Sequence, residues 1–296
     1  HTRYWRDWSS DVCSSDLDYI EDYDSRYDYY HRVEEKIPFD IEQFNTITKG
    51  GLSRKTLNVI LAGTNVGKSL AMCHFATSNL SLGKNVLYIT MEMAEHKIAE
   101  RIDANLLDIS LENLSYINKQ QYINLITVAK NKTPGKMIIK EYPTSSANVN
   151  HFRHLLNELA LKKKFIPDII YIDYLNICSS ARIKYSPNVN SYMMIKSIAE
   201  EIRGLAVEFN VPIVTATQTN RTGFSSSDVE LTDTSESFGL PATADFMFAL
   251  INSEELEKMS QLMVKQLKNR YNDVSLSKKF FRSEEHTSEL QSRQYL

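Results

Sequence analysis

The chain has 296 residues, 42% of them hydrophobic and 24% charged, with 34 Lys+Arg against 37 Asp+Glu and a formal net charge of −3. That length suffices for one large α/β domain with a sizeable core, and the near balance of charge excludes a global basic field, so any contact with nucleic acid must be local. Three cysteines show no metal spacing and no disulfide framework, and no apolar run approaches the roughly 20 residues of a membrane span.

The two ends are related to each other through DNA. Residues 282–292 can be encoded by a strand whose reverse complement, read in one frame, encodes Asp-Trp-Ser-Ser-Asp-Val-Cys-Ser-Ser-Asp-Leu, which is residues 7–17 without a mismatch. One adapter ligated to both ends of an insert leaves this relation, so 1–17 and 282–296 are read as adapter-derived and set aside. They carry four of the Lys/Arg, six of the Asp/Glu and Cys13, which leaves the remainder near neutral with Cys73 and Cys178. The native segment is expected over 18–281, as an internal fragment. Within it, 18–37 is Tyr- and acid-rich and reads as a linker or the end of a missing N-terminal domain. Residues 38–281 read as one α/β domain, cut short at its C-terminus.

From residue 57 onward, apolar runs alternate with helical spacing, which argues for a mostly parallel sheet covered on both faces. A strand over 57–62 runs into Ala62-Gly63-Thr64-Asn65-Val66-Gly67-Lys68-Ser69, and a helix over 69–82 follows through Leu70, Cys73, Ala76 and Leu80. Strand, tight loop and helix are the context of a phosphate-binding loop, whose N–H groups cradle phosphate oxygens at the positive end of the helix. Lys68 would reach the β- and γ-phosphates, and the Ser69 hydroxyl would hold Mg²⁺. Ala62 stands where the usual pattern has its first glycine.

A second strand over 86–90 ends just before Glu92, in Ile89-Thr90-Met91-Glu92-Met93, and a helix over 94–107 follows. A carboxylate at the tip of a neighbouring strand can reach and deprotonate an attacking water. Glu95 and Glu100 belong instead on the solvated face of the helix. Next come a small helix over 120–130, a strand over 137–140, a helix over 149–163 and a strand over 169–173. That last strand reads Pro167-Asp-Ile-Ile-Tyr-Ile-Asp173-Tyr174. An acid at the C-terminal edge of a buried strand, beside a phosphate loop, is placed to hold Mg²⁺.

A helix over 192–209 is marked by Ile195, Ile198, Ile202, Leu205 and Phe209, and strands follow at 212–217, 245–251, 261–268 and 276–280. The polar segments 179–190 and 219–233 are long for connections in such a sheet, and loops of that length are usually functional or disordered.

These motifs together resemble the C-terminal motor domain of the DnaB-type (superfamily 4) replicative helicases, most of all their T-even phage branch. Gly50-Gly51-Leu52 leads into the phosphate loop, and Thr90-Met91-Glu92-Met93 resembles the family's S-x-E-M, whose Glu is the catalytic base. Ile172-Asp173-Tyr174-Leu175 resembles I-D-Y-L, whose Asp serves Mg²⁺. Thr217-Gln218-Thr219-Asn220-Arg221 resembles S-Q-L-N-R, whose Gln senses the γ-phosphate. Lys268-Asn269-Arg270-Tyr271-Asn272 resembles K-x-R-N-G, which acts on the neighbouring subunit's nucleotide. Asn272 replaces the glycine there, and Lys265 competes with Lys268 for the lysine role.

The resemblance implies a RecA-like P-loop NTPase fold with a C-terminal antiparallel extension, ATP and Mg²⁺ as ligands, and a homo-hexameric ring. It implies 5′ to 3′ movement on single-stranded DNA, a primase and a helicase loader as partners, and a cytoplasmic location. Its two channel loops correspond to the two polar segments, where Arg182, Lys184, Arg221 and Phe224 are the available DNA contacts. A RecA-like recombinase and a nucleotide-gated loader or switch ATPase stay open as alternatives.

Overall fold

The computed structural model describes residues 17–32, 34–184, 190–219, 239–259, 261–275 and 277–283. Two units separate, 1–35 and 36–296. Among its described residues the first contains one helix, α1 (Tyr23–His31), none of whose residues is buried. Its acidic and tyrosine-rich sequence offers no apolar face.

The second unit is organised by strand β1 (Leu57–Ala62), every residue of which is buried. Its side chains alternate between two cores, as a strand period of two requires. Leu57, Val59 and Leu61 enter one apolar cluster with helices α7 (Val149–Lys163) and α8 (Ser191–Glu208). Ile60 and Ala62 enter the other, with α2 (Glu42–Thr48), α3 (Lys68–Ser81) and α4 (Glu95–Leu107). Continuous apolar strands with helices on both faces are the mark of a parallel sheet.

The remaining strands are β2 (Val86–Thr90), β3 (Met137–Glu141), β4 (Ile169–Asp173), β5 (Ile213–Gln218), β6 (Phe246–Ile251), β7 (Gln261–Asn269) and β8 (Lys279–Ser283). The sheet order is β3-β2-β4-β5-β1-β6-β7-β8. All pairings from β3 to β6 are parallel, and β7 and β8 are antiparallel. The expected mostly parallel sheet with an antiparallel extension is therefore the observed one.

Most expected elements lie within a residue or two of their sequence bounds. The last strand is the exception: it begins at Lys279 rather than 276. The chain first spends several residues turning, with Asp273 accepting from the Ser275 amide at 2.9 Å and Ser277 at φ 56°. Four short helices had no visible sequence signal: α2, α5 (Leu111–Tyr116), α9 (Gly239–Thr243) and α10 (Glu254–Lys258). Five to seven residues are too few for a 3.6-residue period to declare itself. The smaller helix expected over 120–130 is α6 (Lys119–Lys132), opened by a capping box between Asn118 and Gln121.

The approach to β1 depends on two glycines. Gly50 and Gly51 have φ of 102° and 124°, and Ile37 and Leu52 exchange backbone hydrogen bonds of 2.9 and 2.8 Å around them. A Cβ on Gly51 would collide with the Ile37 carbonyl and Pro38 Cα, whereas one on Gly50 would meet nothing within 4 Å. Gly50→Ala is expected to cost about 1–2 kcal/mol, for the left-handed backbone alone. Gly51→Ala should cost about 2 kcal/mol more, because the backbone must also move. Urea midpoints of the two variants, compared with the parent, check the difference.

Candidate active site

β1 ends on Ala62, in register with Gln218 of β5 and Leu250 of β6. A strand residue needs no glycine freedom, which accounts for alanine at the first position of the motif. The two residues after it that do take left-handed backbone are Asn65 (φ 64°) and Gly67 (φ 95°), and Gly67 caps α3. Asn tolerates that conformation and glycine adopts it freely. Lys68 and Ser69 then open α3, both buried.

The Lys68 ammonium donates to Glu92 Oε2 at 3.2 Å and lies 3.3 Å from the centroid of the Tyr174 ring. Glu92 is held by a small turn: the Thr90 hydroxyl donates to the Met93 carbonyl at 2.7 Å and accepts from the Met93 amide at 3.2 Å. The Met91 amide donates to the Asp173 carbonyl at 3.0 Å, which ties the same turn to the end of β4. With its side chain 40% exposed, Glu92 faces an open space, unlike the nearly enclosed Lys68.

Asp173 is the last residue of β4 and is 0% exposed. Its Oδ2 accepts from the Tyr88 hydroxyl at 3.1 Å. Its Oδ1 is buried and has no hydrogen-bond partner among the described residues. Burial pushes the carboxyl above the usual carboxylate range, opposed by the Lys68 ammonium and the Ser69 hydroxyl. An orphaned carboxylate oxygen beside a serine hydroxyl fits a hard cation that takes its other ligands from water and phosphate. No group of three or more His, Cys, Asp or Glu that could hold a metal ion occurs among the described residues, so no all-protein cage competes with that arrangement.

Gln218 closes β5, the strand between β4 and β1. Thr219 next to it donates its amide to the Ala62 carbonyl at 3.2 Å, so the two strand ends are laced together. A cavity of about 370 Å³ opens here, lined by Gly67, Lys68, Ser69, Glu92 and Gln218, with Arg101 of α4 on its wall. Residues from three separate strand–loop junctions and the start of α3 thus meet. Arg101 was invisible as a site residue, since on sequence it is one more charge on an amphipathic helix. Tyr174 belonged to a recognised motif, but its stacking under Lys68 has no sequence signature.

Lys268 and Arg270 are not brought to this cavity. β7 runs antiparallel to β6, with Lys268 opposite Met247 and Asn269 opposite Phe246, so both cations emerge beside the start of the parallel strands. The phosphate loop leaves the other end of β1, roughly 15 Å away along the strand. Arg270 donates to Asp245 Oδ1 at 2.7 Å, and Arg203 of α8 donates to both oxygens of the same carboxylate at 3.0 and 3.1 Å. Asp245 Oδ2 also accepts the Leu57 amide at 2.9 Å. Lys268 donates to the Pro241 and Ala242 carbonyls at 2.5 and 3.0 Å, and burial together with the nearby Arg270 lowers its pKa. Lys265 is buried within β7, which leaves Lys268 as the lysine at the edge.

Of the expected DNA contacts, Arg182 and Lys184 are exposed, with Arg182 3.6 Å from Glu200. The buried carboxylate of Glu201 organises the start of that segment, accepting from the Ser180 hydroxyl at 2.5 Å and the Ala181 amide at 2.8 Å. Arg221 and Phe224 lie outside the described residues. Two cysteines are fully enclosed. Burial lifts the Cys73 thiol to about 12 and raises that of Cys178 as well. No helix among the described residues is long and apolar enough to cross a membrane.

The strand order, the loop after β1 and the acid ending β4 define a RecA-like phosphate-loop domain. The DnaB-like helicase C terminal domain matches residues 37–287, and the chain belongs to that family. It is 50% identical over 267 residues to the DnaB-like replicative helicase of Enterobacteria phage T4, a match that covers 89% of this chain and 56% of that protein. It is 26% identical over 218 residues to the replicative DNA helicase DnaB of Helicobacter pylori strain ATCC 700392 / 26695, covering 72% and 43%. The chain thus spans about half the length of these curated relatives. Among solved structures, a DnaB-like replicative helicase studied with its interactions with primase aligns with a TM-score of 0.70 at 18% identity, covering 85% of this chain and 63% of that one. A second solved structure, of an isolated ATPase domain, aligns with a TM-score of 0.68 at 18% identity, covering 84% and 89%. These two alignments bear on the fold alone.

The Asp245 cluster leads to a stability prediction. Asp245→Ala leaves the buried Leu57 amide without its side-chain acceptor and removes the carboxylate shared by two part-exposed guanidinium groups, and is expected to destabilise by about 1–3 kcal/mol. Arg270→Ala removes a side chain that is 49% exposed and should cost about 1 kcal/mol or less. Chemical denaturation of the two variants measures both.

Proposed function

We propose that this chain is the motor domain of a ring-forming replicative DNA helicase, which hydrolyses ATP at the interfaces of a homo-hexamer. The observation that carries this reading is the Lys68–Glu92 contact of 3.2 Å at the wall of a cavity that Gln218 also lines, with Asp173 close behind.

The loop Ala62–Ser69 cradles the phosphates through its N–H groups. Lys68, now paired with Glu92, has a stronger partner in a triphosphate. Transfer of the ammonium to phosphate oxygens releases the Glu92 carboxylate to orient the attacking water and take its proton, worth about 10²–10⁴ in rate for a well-placed base. Mg²⁺ held between Ser69 and Asp173 would neutralise charge on the β- and γ-phosphates. The Gln218 amide donates to the γ-phosphate, and its release passes to the chain that leaves β5.

Lys268 and Arg270 act on the adjacent subunit's nucleotide. Their place at the edge opposite the phosphate loop supports this, because a cation there cannot serve its own chain. An arginine supplied in trans is worth about 10³–10⁵ in well-studied GTPases. Arg182 and Lys184 contact the backbone of single-stranded DNA, and Arg221 and Phe224 join them. Movement is 5′ to 3′ in the host cytoplasm, with a primase and a loader as partners.

ATPase activity of the full chain, measured with and without single-stranded DNA, tests this. Stimulation by DNA is expected, and Glu92→Gln should lose about 10²–10⁴ in turnover while keeping nucleotide affinity. Absence of stimulation, or an unchanged rate in Glu92→Gln, would sink the helicase reading in favour of a switch ATPase. Mixing Arg270→Ala with Glu92→Gln subunits should restore part of the activity, since each supplies what the other lacks. Complete failure to complement counts against a shared site.

A further inference from the structure

The carboxylate of Asp173 has two oxygens in very different surroundings, and the difference originates on a neighbouring strand. Asp173 and Tyr171 point to the α3 face of β4, and Tyr88 points to the same face of β2, paired in register with Tyr171. Tyr88 is 0% exposed. A buried phenol must place its one proton on an acceptor, and here that acceptor is Asp173 Oδ2, at 3.1 Å. The Cys73 thiol of α3 lies behind it, donating to the phenol oxygen at 3.8 Å. The three groups therefore form a directed chain from thiol to phenol to carboxylate.

The ring that delivers this bond is itself held. Tyr88 and Tyr171 stack with centroids 5.9 Å apart and planes 11° from parallel. Tyr171 sends its own hydroxyl elsewhere, to Asn79 Oδ1 at 2.7 Å, so it does not compete for Asp173. The terminal torsion of an aspartate is broad and roughly two-fold, so the backbone alone does not choose which oxygen faces the site. The Tyr88 hydroxyl fixes Oδ2 from the core side; the Ser69 hydroxyl, the other group that favours the charged carboxylate, belongs to the site itself, and Oδ1 is the oxygen left buried without a hydrogen bond among the described residues.

We infer that Tyr88 is a positioning residue that aims Asp173 Oδ1 at the metal accompanying the nucleotide. This rests on the proposed role of Asp173 at Mg²⁺. Nothing in the phosphate-loop or acid motifs points to Tyr88, which reads from sequence as one more apolar strand residue. The hydroxyl, not the ring, carries the effect, so Tyr88→Phe isolates it: the stacked ring stays and only the donor goes.

The test is binding without turnover. A fluorescent non-hydrolysable ATP analogue is titrated into the full chain over a range of Mg²⁺ concentrations, and again in EDTA. Tyr88→Phe is expected to raise the Mg²⁺ needed for half-maximal tightening by about 10–100-fold, the usual cost of losing a group that orients a metal ligand. Its affinity for the analogue in EDTA should stay within about two-fold, since the phosphate loop is untouched. In an Asp173→Asn background, Tyr88→Phe should have no further effect on the Mg²⁺ dependence. An unchanged Mg²⁺ titration in Tyr88→Phe overturns the inference, as does an equal loss of affinity in EDTA, which marks general damage to the core. Asp173→Asn separates the two levels. If it abolishes the Mg²⁺ effect while Tyr88→Phe does not, only the role of Tyr88 falls. If it too leaves the effect intact, the metal role of Asp173 falls and takes the inference with it.

Discussion

Parallel pairing is the constraint on which the rest of this molecule depends. Because β2, β4, β5 and β1 all run the same way, their C-terminal ends reach a single edge, and residues as distant in sequence as Lys68 and Gln218 line one cavity. Ligands of open parallel sheets bind at that edge for this reason. The reversal at β7 breaks the rule once, and it sends Lys268 and Arg270 to the opposite edge. One sheet thereby carries two chemically different rims, one where Lys68, Glu92 and Gln218 line a cavity and one where Lys268 and Arg270 are bonded to backbone carbonyls and to Asp245.

The site also shows where the chain departs from the ordinary rules of burial. A carboxylate with one orphaned oxygen in the core is expensive, and buried polar groups are normally paired. Asp173 departs from that rule beside a lysine it does not neutralise, because Lys68 is turned toward Glu92 and the Tyr174 ring. Asp245, by contrast, is saturated: a backbone amide and two arginines converge on it. The first arrangement is suited to receiving something, the second to holding a side chain in place. Local violations of this kind tend to concentrate at functional positions.

Much of this was legible in the sequence. The strands that end at or just before Glu92, Asp173 and Gln218 are legible within a residue of their observed ends, because fully buried parallel strands announce themselves as short apolar runs. The fold class and the order of motifs followed from the same signal. What was not legible depends on pairing across distance. Asp245 meets the Leu57 amide 188 residues away, and it meets Arg203 only because α8 packs where it does. Lys265 and Lys268 could not be told apart until the strand placed one in the core and one at the rim. Tyr88 looked like any core aromatic, since a hydroxyl's partner is decided by the neighbouring strand's register. Short helices such as α5 escaped because their few residues hold less than two full turns.

The enclosure of the thiols has a practical side. The nucleophile in alkylation is the thiolate, and burial keeps both Cys73 and Cys178 protonated and shielded at neutral pH. Among the described residues neither free thiol is open to maleimide chemistry, and Cys13 lies outside them. Once Cys13 is replaced, a cysteine introduced on the exposed surface could take a dye while the native thiols stay as they are. Such a dye would report on the cavity or on the opposite rim in a molecule whose core, including the thiol behind Tyr88, has not been altered to carry it.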